Sequence, residues 1–387
     1  MTTANLLLIS GIGPGYTGVG RIISHLNRQA EGDPTTSIHW ATRKATSLSQ
    51  AWSRRDVAAL ANEVAKRSID ALRWHLARKR DLYRLHPHLV LLHPQTLGVA
   101  WLLQLVERRA STDLYVMDAS FFCRSSYNHR SGSACLDCVG TDGAPGLQHN
   151  CRRWPIDVSE VDQLITGIQR HARTGRVRFL VQNPAQGELI RQHCGPASRV
   201  AVVGLWSDEW AAPPPRPTSD DQRYDVVFHG ADTPAKGSRW AIRLAELCPQ
   251  LRFLFPFARP AIVAPMPNVD FIPCTWETGL GAAISACRIA LNPSLWSAPI
   301  EGALVKSIRW APATAVVRLA GSYASELPDG LTWSLPEEPN EAARSLVEAV
   351  RTGWCVDQNV REAWWNSIAT GRDTLSRIKA LGNHGMG

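Results

Sequence analysis

The chain has 387 residues, 44% of them hydrophobic and 20% charged, with 15 tryptophans and a formal net charge of +8. That composition excludes a disordered or fibrous chain, and the length exceeds one ordinary core, so two domains of roughly 150 to 200 residues are expected. No stretch reaches the roughly 18 consecutive apolar residues of a membrane span. The opening MTTANLLLISGIGPG lacks the basic n-region of a signal peptide and reads as a first strand in a cytoplasmic protein.

That strand, Asn5 to Ser10, runs into GIGPGYTGVGRIISHL, a glycine turn followed by a helix. Gly13, Gly15 and Gly18 satisfy GxGxxG, but a dinucleotide-binding unit carries an acid at the end of its second strand to hold the ribose. Here the second strand, Ser37 to Thr42, ends in Arg43 and Lys44. The glycines still allow a ligand to approach bare backbone. Between Arg43 and Arg84 there are eleven Lys or Arg against four acids, nearly the whole charge excess. Within that stretch, segment 56–85 has a helical period, with Val57, Leu60, Val64, Ile69, Leu72, Leu76 and Leu82 recurring and Trp74 among the basic side chains. Two readings stand: a basic amphipathic helix on the anionic face of a membrane, or a solvated helix that packs one apolar stripe on the sheet. Nucleic acid is not expected as a partner, because aromatic and basic residues do not interleave along strands as a stacking platform requires.

Strand Leu89 to Leu92, helix Leu97 to Arg108 and strand Asp113 to Met117 follow, the last ending in Asp118. This alternation implies an α/β fold with a doubly wound parallel sheet. A long irregular insertion, 119–155, interrupts it. Helix Val158 to Arg173, strand Val177 to Val181, helix Pro184 to His193 and strand Arg199 to Val203 then complete an N-terminal domain over 1–205. Segment 206–224, with three consecutive prolines, reads as a semi-rigid extended linker. A second Rossmann-like domain, 225–356, repeats the alternation, and one last helix, Gln358 to Lys379, fills 357–387. Two such domains facing one another across a cleft is the economical architecture.

The stretch DVVFHGADTPAKGSRWAIRLAEL, from Asp225 to Leu247, has the clearest order in the chain. A buried strand leaves through Gly230, and the next helix turns its N-terminal amides back toward the strand end. Lys236 and Arg239 set positive charge beside those amides, which suits a phosphorylated ligand at the carboxyl edge of a sheet. The other reading is a surface strand-turn-helix with two solvated basic residues.

Four of the nine cysteines lie in the insertion, Cys123, Cys135, Cys138 and Cys151. In a reducing cytoplasm such a cluster points to metal before disulfides. The CxxC pair offers two thiolates from one turn, and the flanking two close a tetrahedral set. Structural zinc is the favoured occupant and an iron-sulfur cluster the alternative; His129 or His149 is a substitute ligand.

At the level of motif and order, nearly the whole chain resembles glycosyltransferases of the GT-B fold, most closely the retaining family-four enzymes. GIGPGYTGVG resembles their first loop, FFCRSSYNHRSGSACLDC a cysteine-rich loop of some members, HGADTPAKG their phosphate-binding turn, and LNPSLWSAPIEGALVKSI the place of their paired glutamates. The resemblance implies a nucleotide-sugar donor and a glycan or lipid-linked acceptor, with the final helix crossing back to the first domain. It carries the donor-phosphate lysine onto Lys236. The family's arginine falls on Ala231 and its paired glutamates on Ala298 and Lys306, with Glu301 the carboxylate nearby. Retaining transfer without a metal needs donors around the leaving diphosphate. Lys236, Arg239, Gly13, Gly15, Gly18 and the helix start at Gly302 are the candidates, with Asp118 placed to take the acceptor's proton and Glu301 in a shifted role. Two alternatives are a GT-B scaffold or partner subunit whose donor site has decayed, and a sugar-nucleotide epimerase. The protein is expected in the cytoplasm, free or peripheral on the inner membrane face.

Overall fold

The computed structural model describes residues 6–15, 18–42, 57–79, 88–94, 97–153, 160–217 and 224–383. Arg43, Lys44, Arg54, Arg55, both ends of the basic segment 56–85 and the start of the helix expected from Val158 lie outside the described residues. The chain divides into two units: Met1–Ser126, Asp137–Ser207 and Gly371–Gly387 form one, and Tyr127–Leu136 with Asp208–Thr370 forms the other.

Unit one contains strands β1 (Leu6–Ile12), β2 (Thr36–Thr42), β3 (His88–Leu92) and β4 (Thr112–Tyr115). A short hairpin, β5 (His129–Arg130) and β6 (Ser133–Ala134), comes next in the chain, and β7 (Val177–Val181) and β8 (Arg199–Val202) complete the unit-one strands. The unit-one sheet is parallel throughout, in the order β2-β1-β3-β4-β7-β8. β1 is buried at all seven positions, as expected of a central strand covered on both faces. Strand order reverses between β1 and β3, so their carboxyl ends, beside Gly13 and His93, flank the switch point where open α/β sheets take ligands. At the amino end, Asp113 is buried between Arg178 (2.6 Å) and His88 (2.6 Å). Burial works to raise its carboxyl pKa, and the two partners hold it below the usual range.

Unit two has β9 (Val226–Phe228), β10 (Phe253–Phe255), β11 (Val269–Phe271), β12 (Ile289–Asn292), β13 (Thr314–Val317) and β14 (Trp333–Leu335), parallel in the order β11-β10-β9-β12-β13-β14. Its core runs from Phe228, Phe253 and Phe255 to Leu346, all fully buried. The switch point here lies between β9 and β12. His229 donates its amide to Leu291 O (3.0 Å) and Asn292 Nδ2 donates to His229 O (2.8 Å), so the two strand ends are tied together.

Three segments differ from the sequence expectation. The insertion does not stay whole in the first domain. Its hairpin turns through Ser131 and Gly132, both at positive φ, and groups with unit two. The region after 207 is less a free linker than a first piece of unit two: Trp210, in the 3-10 turn Asp208–Trp210, is buried, and its carbonyl accepts from Trp310 Nε1 at 3.3 Å. The last helix is two, Gln358–Ala369 and Thr374–Asn383, because Gly371 weakens the helix and Asp373 caps a new one through Ser376 N (2.8 Å). Trp364 and Trp365 of the first are buried in unit two, whereas Lys379 of the second pairs with Asp33 in unit one.

Candidate functional site

Unit two gathers a charged cluster at the switch point of its sheet. β9 leads into a 3-10 turn, Pro234–Lys236, and Gly237 then starts helix Ser238–Leu247. Gly237 has φ 76°, and a Cβ there would come within 2.1 Å of the Pro293 carbonyl oxygen. Only glycine brings the turn this close to the chain leaving β12. Leu295 N donates to Ala235 O (2.8 Å) and holds the two segments in register.

Across that contact Lys236 Nζ meets Glu301 Oε1. The other carboxylate oxygen accepts from Ser294 Oγ at 2.6 Å. Glu301 is the N-cap residue of helix Gly302–Trp310, but its side chain makes no capping bond. It is turned to the lysine instead of serving as an ordinary first-turn acid. The ammonium also lies 5.0 Å from the centroid of Tyr127 and 4.9 Å from that of Trp296, within cation–π reach of both. Burial pulls the Lys236 pKa down to about 7. With 20% of the side chain still open and a carboxylate against it, the direction is set by desolvation and opposed by Glu301.

The other sequence candidates in this unit separate from one another. Arg239 is 43% exposed and lies 3.8 Å from Asp232, an ion pair of its own beside the Lys236–Glu301 pair. Gly302 is at the helix start, where a Cβ would meet Trp210 Nε1 at 2.9 Å. Lys306 is buried one turn further on, 3.8 Å from Glu209 Oε2 and 4.8 Å from the Trp276 ring. Beside it His229 stacks on Trp276 (centroids 5.6 Å, 15°) and its Nδ1 is 2.9 Å from Ser307 Oγ. Burial, with the Lys306 charge second, pushes the His229 pKa down to about 3, so its ring is neutral.

In unit one, the described part of the glycine turn is tight. A Cβ on Gly13 would meet Trp40 at 2.6 Å, and one on Gly20 would meet the Gly15 backbone at 2.9 Å. Gly18 opens helix Gly18–Ala30 and has free space around it. Asp118 is buried, and its Oδ1 accepts from Ser120 N (2.9 Å), a local turn bond of the kind aspartates commonly make. It shares with His93 a cavity of about 20 Å3, room for about one water, lined also by Ser120 and by apolar side chains such as Phe121 and Ile165. His93 has φ 46°, a left-handed backbone at a non-glycine residue beside the switch point.

Among the described residues no group of three or more His, Cys, Asp or Glu is placed to hold a metal ion. Cys123, Cys138 and Cys151 belong to unit one and Cys135 to unit two, and none of the four forms a disulfide. The loop is held by protein contacts: Cys151 N donates to Gly146 O (2.9 Å), Cys135 N to Asn128 O (2.7 Å), and Arg124 pairs with Asp162 (2.9 Å).

Tyr127, Trp296, His229 and Glu209 were not candidates from the sequence. A histidine at the end of VVFHG was visible as a polar residue closing a buried strand. Tyr127 and Trp296 gave no such signal, because their partnership depends on a long-range fold contact.

No family model and no curated protein matches the chain. Solved structures do. HepE from Anabaena, in complex with UDP, is 12% identical with TM-score 0.59, over 97% of this chain and 99% of its own. Sucrose-phosphate synthase from Thermosynechococcus elongatus is 10% identical with TM-score 0.57, over 97% and 99%. A UDP-forming α,α-trehalose-phosphate synthase from Burkholderia vietnamiensis is 12% identical with TM-score 0.53, over 99% and 100%. At such identities the likeness concerns the fold, and the fold is GT-B.

Proposed function

We propose that this chain is a glycosyltransferase that binds a nucleotide-sugar donor in unit two and transfers the sugar to a glycan or lipid-linked acceptor. The observation that carries the reading is the Lys236–Glu301 pair at the switch point of the unit-two sheet, on a fold it shares with a protein solved with UDP. A half-buried ammonium at the carboxyl end of β9 suits an anion. The entering diphosphate takes over from Glu301 as counter-ion, so the ammonium is never left uncompensated in a desolvated place. The amides at the start of helix Gly302–Trp310 add partial positive charge. Charge that develops on the leaving diphosphate is then met by groups already in position, which is where such sites gain rate.

The finer reading is retaining transfer with no metal in the chemistry, with Asp118 of unit one as the group that receives the acceptor's proton. Binding in the micromolar to millimolar range requires roughly 4 to 8 kcal/mol, more than one helix terminus at about 0.3 to 2 kcal/mol supplies. Several groups must therefore converge on the phosphates, Lys236 together with the amides at the helix start by Gly302. Incubation with a panel of nucleotide sugars tests the proposal. Donor consumption and transfer are expected, and no hydrolysis, transfer or thermal shift with any donor overturns it.

A second reading, a donor-binding scaffold or partner subunit without turnover, has its own support. Lys306 stands where the resemblance calls for a glutamate, and its charge is matched by Glu209. Turnover in the donor panel rejects that reading; donor consumption without acceptor marks an epimerase instead. Peripheral attachment at the inner membrane face is supported by helix Val57–Lys79 and its basic composition. No helix among the described residues is long and apolar enough to cross a membrane. A structural zinc or iron-sulfur centre is supported by the cysteine spacing alone. Metal analysis of anaerobically purified protein reads it: one zinc per chain, or iron with a brown colour, against neither.

A further inference from the structure

The hairpin Tyr127–Leu136 is the part of the cysteine insertion that folds with unit two, and it is anchored there at three points. Asn128, fully buried, donates Nδ2 to Ser297 Oγ (3.0 Å) and accepts from Ser297 N at Oδ1 (3.1 Å). Ser133 Oγ donates to Glu337 Oε2 (2.6 Å). Tyr127 stacks on Trp296 with centroids 4.3 Å apart and planes at 27°. Trp296 is itself buried and lies between Ser294, which holds Glu301, and Ser297, which holds Asn128. The anchor of the hairpin and the counter-ion of Lys236 thus hang on one four-residue stretch of chain.

A lysine on a four-carbon stem has many rotamers. The paired rings, both within about 5 Å of the ammonium, narrow those rotamers and take the place of water on one flank. The low local dielectric strengthens the charge that an incoming anion meets. We propose that the Tyr127–Leu136 hairpin is a working part of the donor-phosphate site, with Tyr127 a positioning residue that acts through Lys236 by fixing its ammonium and keeping it dry for a nucleotide's diphosphate. This inference rests on the glycosyltransferase reading. Among the described residues, Glu301 and Tyr127 are titratable groups near the ammonium, while Asp232 and Arg239, next along the turn, lie against each other.

The test uses the full chain and two readouts: calorimetric binding of UDP, and the rate at which an amine-acylating reagent modifies Lys236 between pH 6 and 10, followed by peptide mass spectrometry. Tyr127→Ala is expected to weaken UDP binding at least about fivefold. The same variant should move the acylation midpoint toward that of an ordinary solvated lysine. Tyr127→Phe, which keeps the ring, should recover most of both losses, and Asn128→Ala should move both readouts the same way as Tyr127→Ala. Wild-type UDP affinity together with a wild-type acylation profile in Tyr127→Ala overturns the proposal. If a melting curve shows that variant unfolded, the same two readouts on Asn128→Ala decide in its place. Wild-type protein that binds no nucleoside diphosphate overturns the donor reading and the ligand named here together. The acylation profile then still judges whether Tyr127 governs Lys236.

Discussion

Lys236 sets the chemistry at the scale of single residues. Burial lowers its pKa toward about 7, so the ammonium is lost at a lower pH than in a solvated lysine. UDP affinity should therefore fall by about tenfold between pH 6.5 and 8.5, and Lys236→Arg, whose charge persists, should flatten that dependence. Calorimetry across the range measures both. Gly237→Ala forces a left-handed backbone on an alanine and drives its Cβ into the Pro293 carbonyl. A loss of roughly 1 to 3 kcal/mol is expected from the backbone alone, read as a shift in urea midpoint. His229 provides a pH test of stability. Its folded pKa lies below the unfolded value, so the unfolded chain binds more protons between about 3 and 6.5, and stability falls as pH drops through that window. Relative to His229→Gln, the wild type should lose about 1 to 2 kcal/mol more between pH 7 and 5. Equal losses in the two proteins would contradict the buried neutral ring. Lys236 itself was legible in HGADTPAKG because a glycine turn after a buried strand limits where a cation can go. Its ring neighbours were not, since Asn128 and Ser297, which place Tyr127 on Trp296, come together only through the tertiary fold.

Among elements, the strands were the most legible. Runs such as LLLISGI and VVF are apolar without alternation, the mark of strands covered on both faces. Strand Val177–Val181 falls where the sequence puts it. The break after Ala369 was missed because apolar periodicity continues through Thr370 and Gly371, and a periodic pattern hides a two-residue change of direction. The hairpin was hidden for another reason: its strands are two residues each, too short for any period. Helix Val57–Lys79 carries exposed apolar side chains. Val57, Val64, Ile69, Leu72 and Leu76 are all at least 41% exposed. Trp74 lies edge-on to Trp101 at 5.3 Å. Co-sedimentation with vesicles should show binding that rises with anionic lipid content and falls with salt. Leu72→Ser with Leu76→Ser should lower it several-fold; the same binding to neutral vesicles would contradict the basic-helix account.

For the molecule as a whole, length predicted two domains and the alternation of elements predicted their class, and the chain folds as two six-stranded parallel sheets. The sequence could not tell which unit each connecting segment joins. The insertion hairpin, the stretch after Ser207 and the last helix are assigned by where their tryptophans, asparagines and lysines find partners, and that is a property of the folded surface. The same limit applies to the charge at the helix after β12. Glu301 was visible only as a nearby carboxylate, and the structure makes it the counter-ion of Lys236. The central claim is that this pair marks a donor-diphosphate site. Calorimetric titration of wild type and Lys236→Ala with UDP, beside a thermal melt of each, tests it most directly. The account predicts saturable wild-type binding in the micromolar to millimolar range and at least about tenfold weaker binding in a folded Lys236→Ala. Equal affinity in the two proteins, or no binding of any nucleoside diphosphate by the wild type, would contradict it.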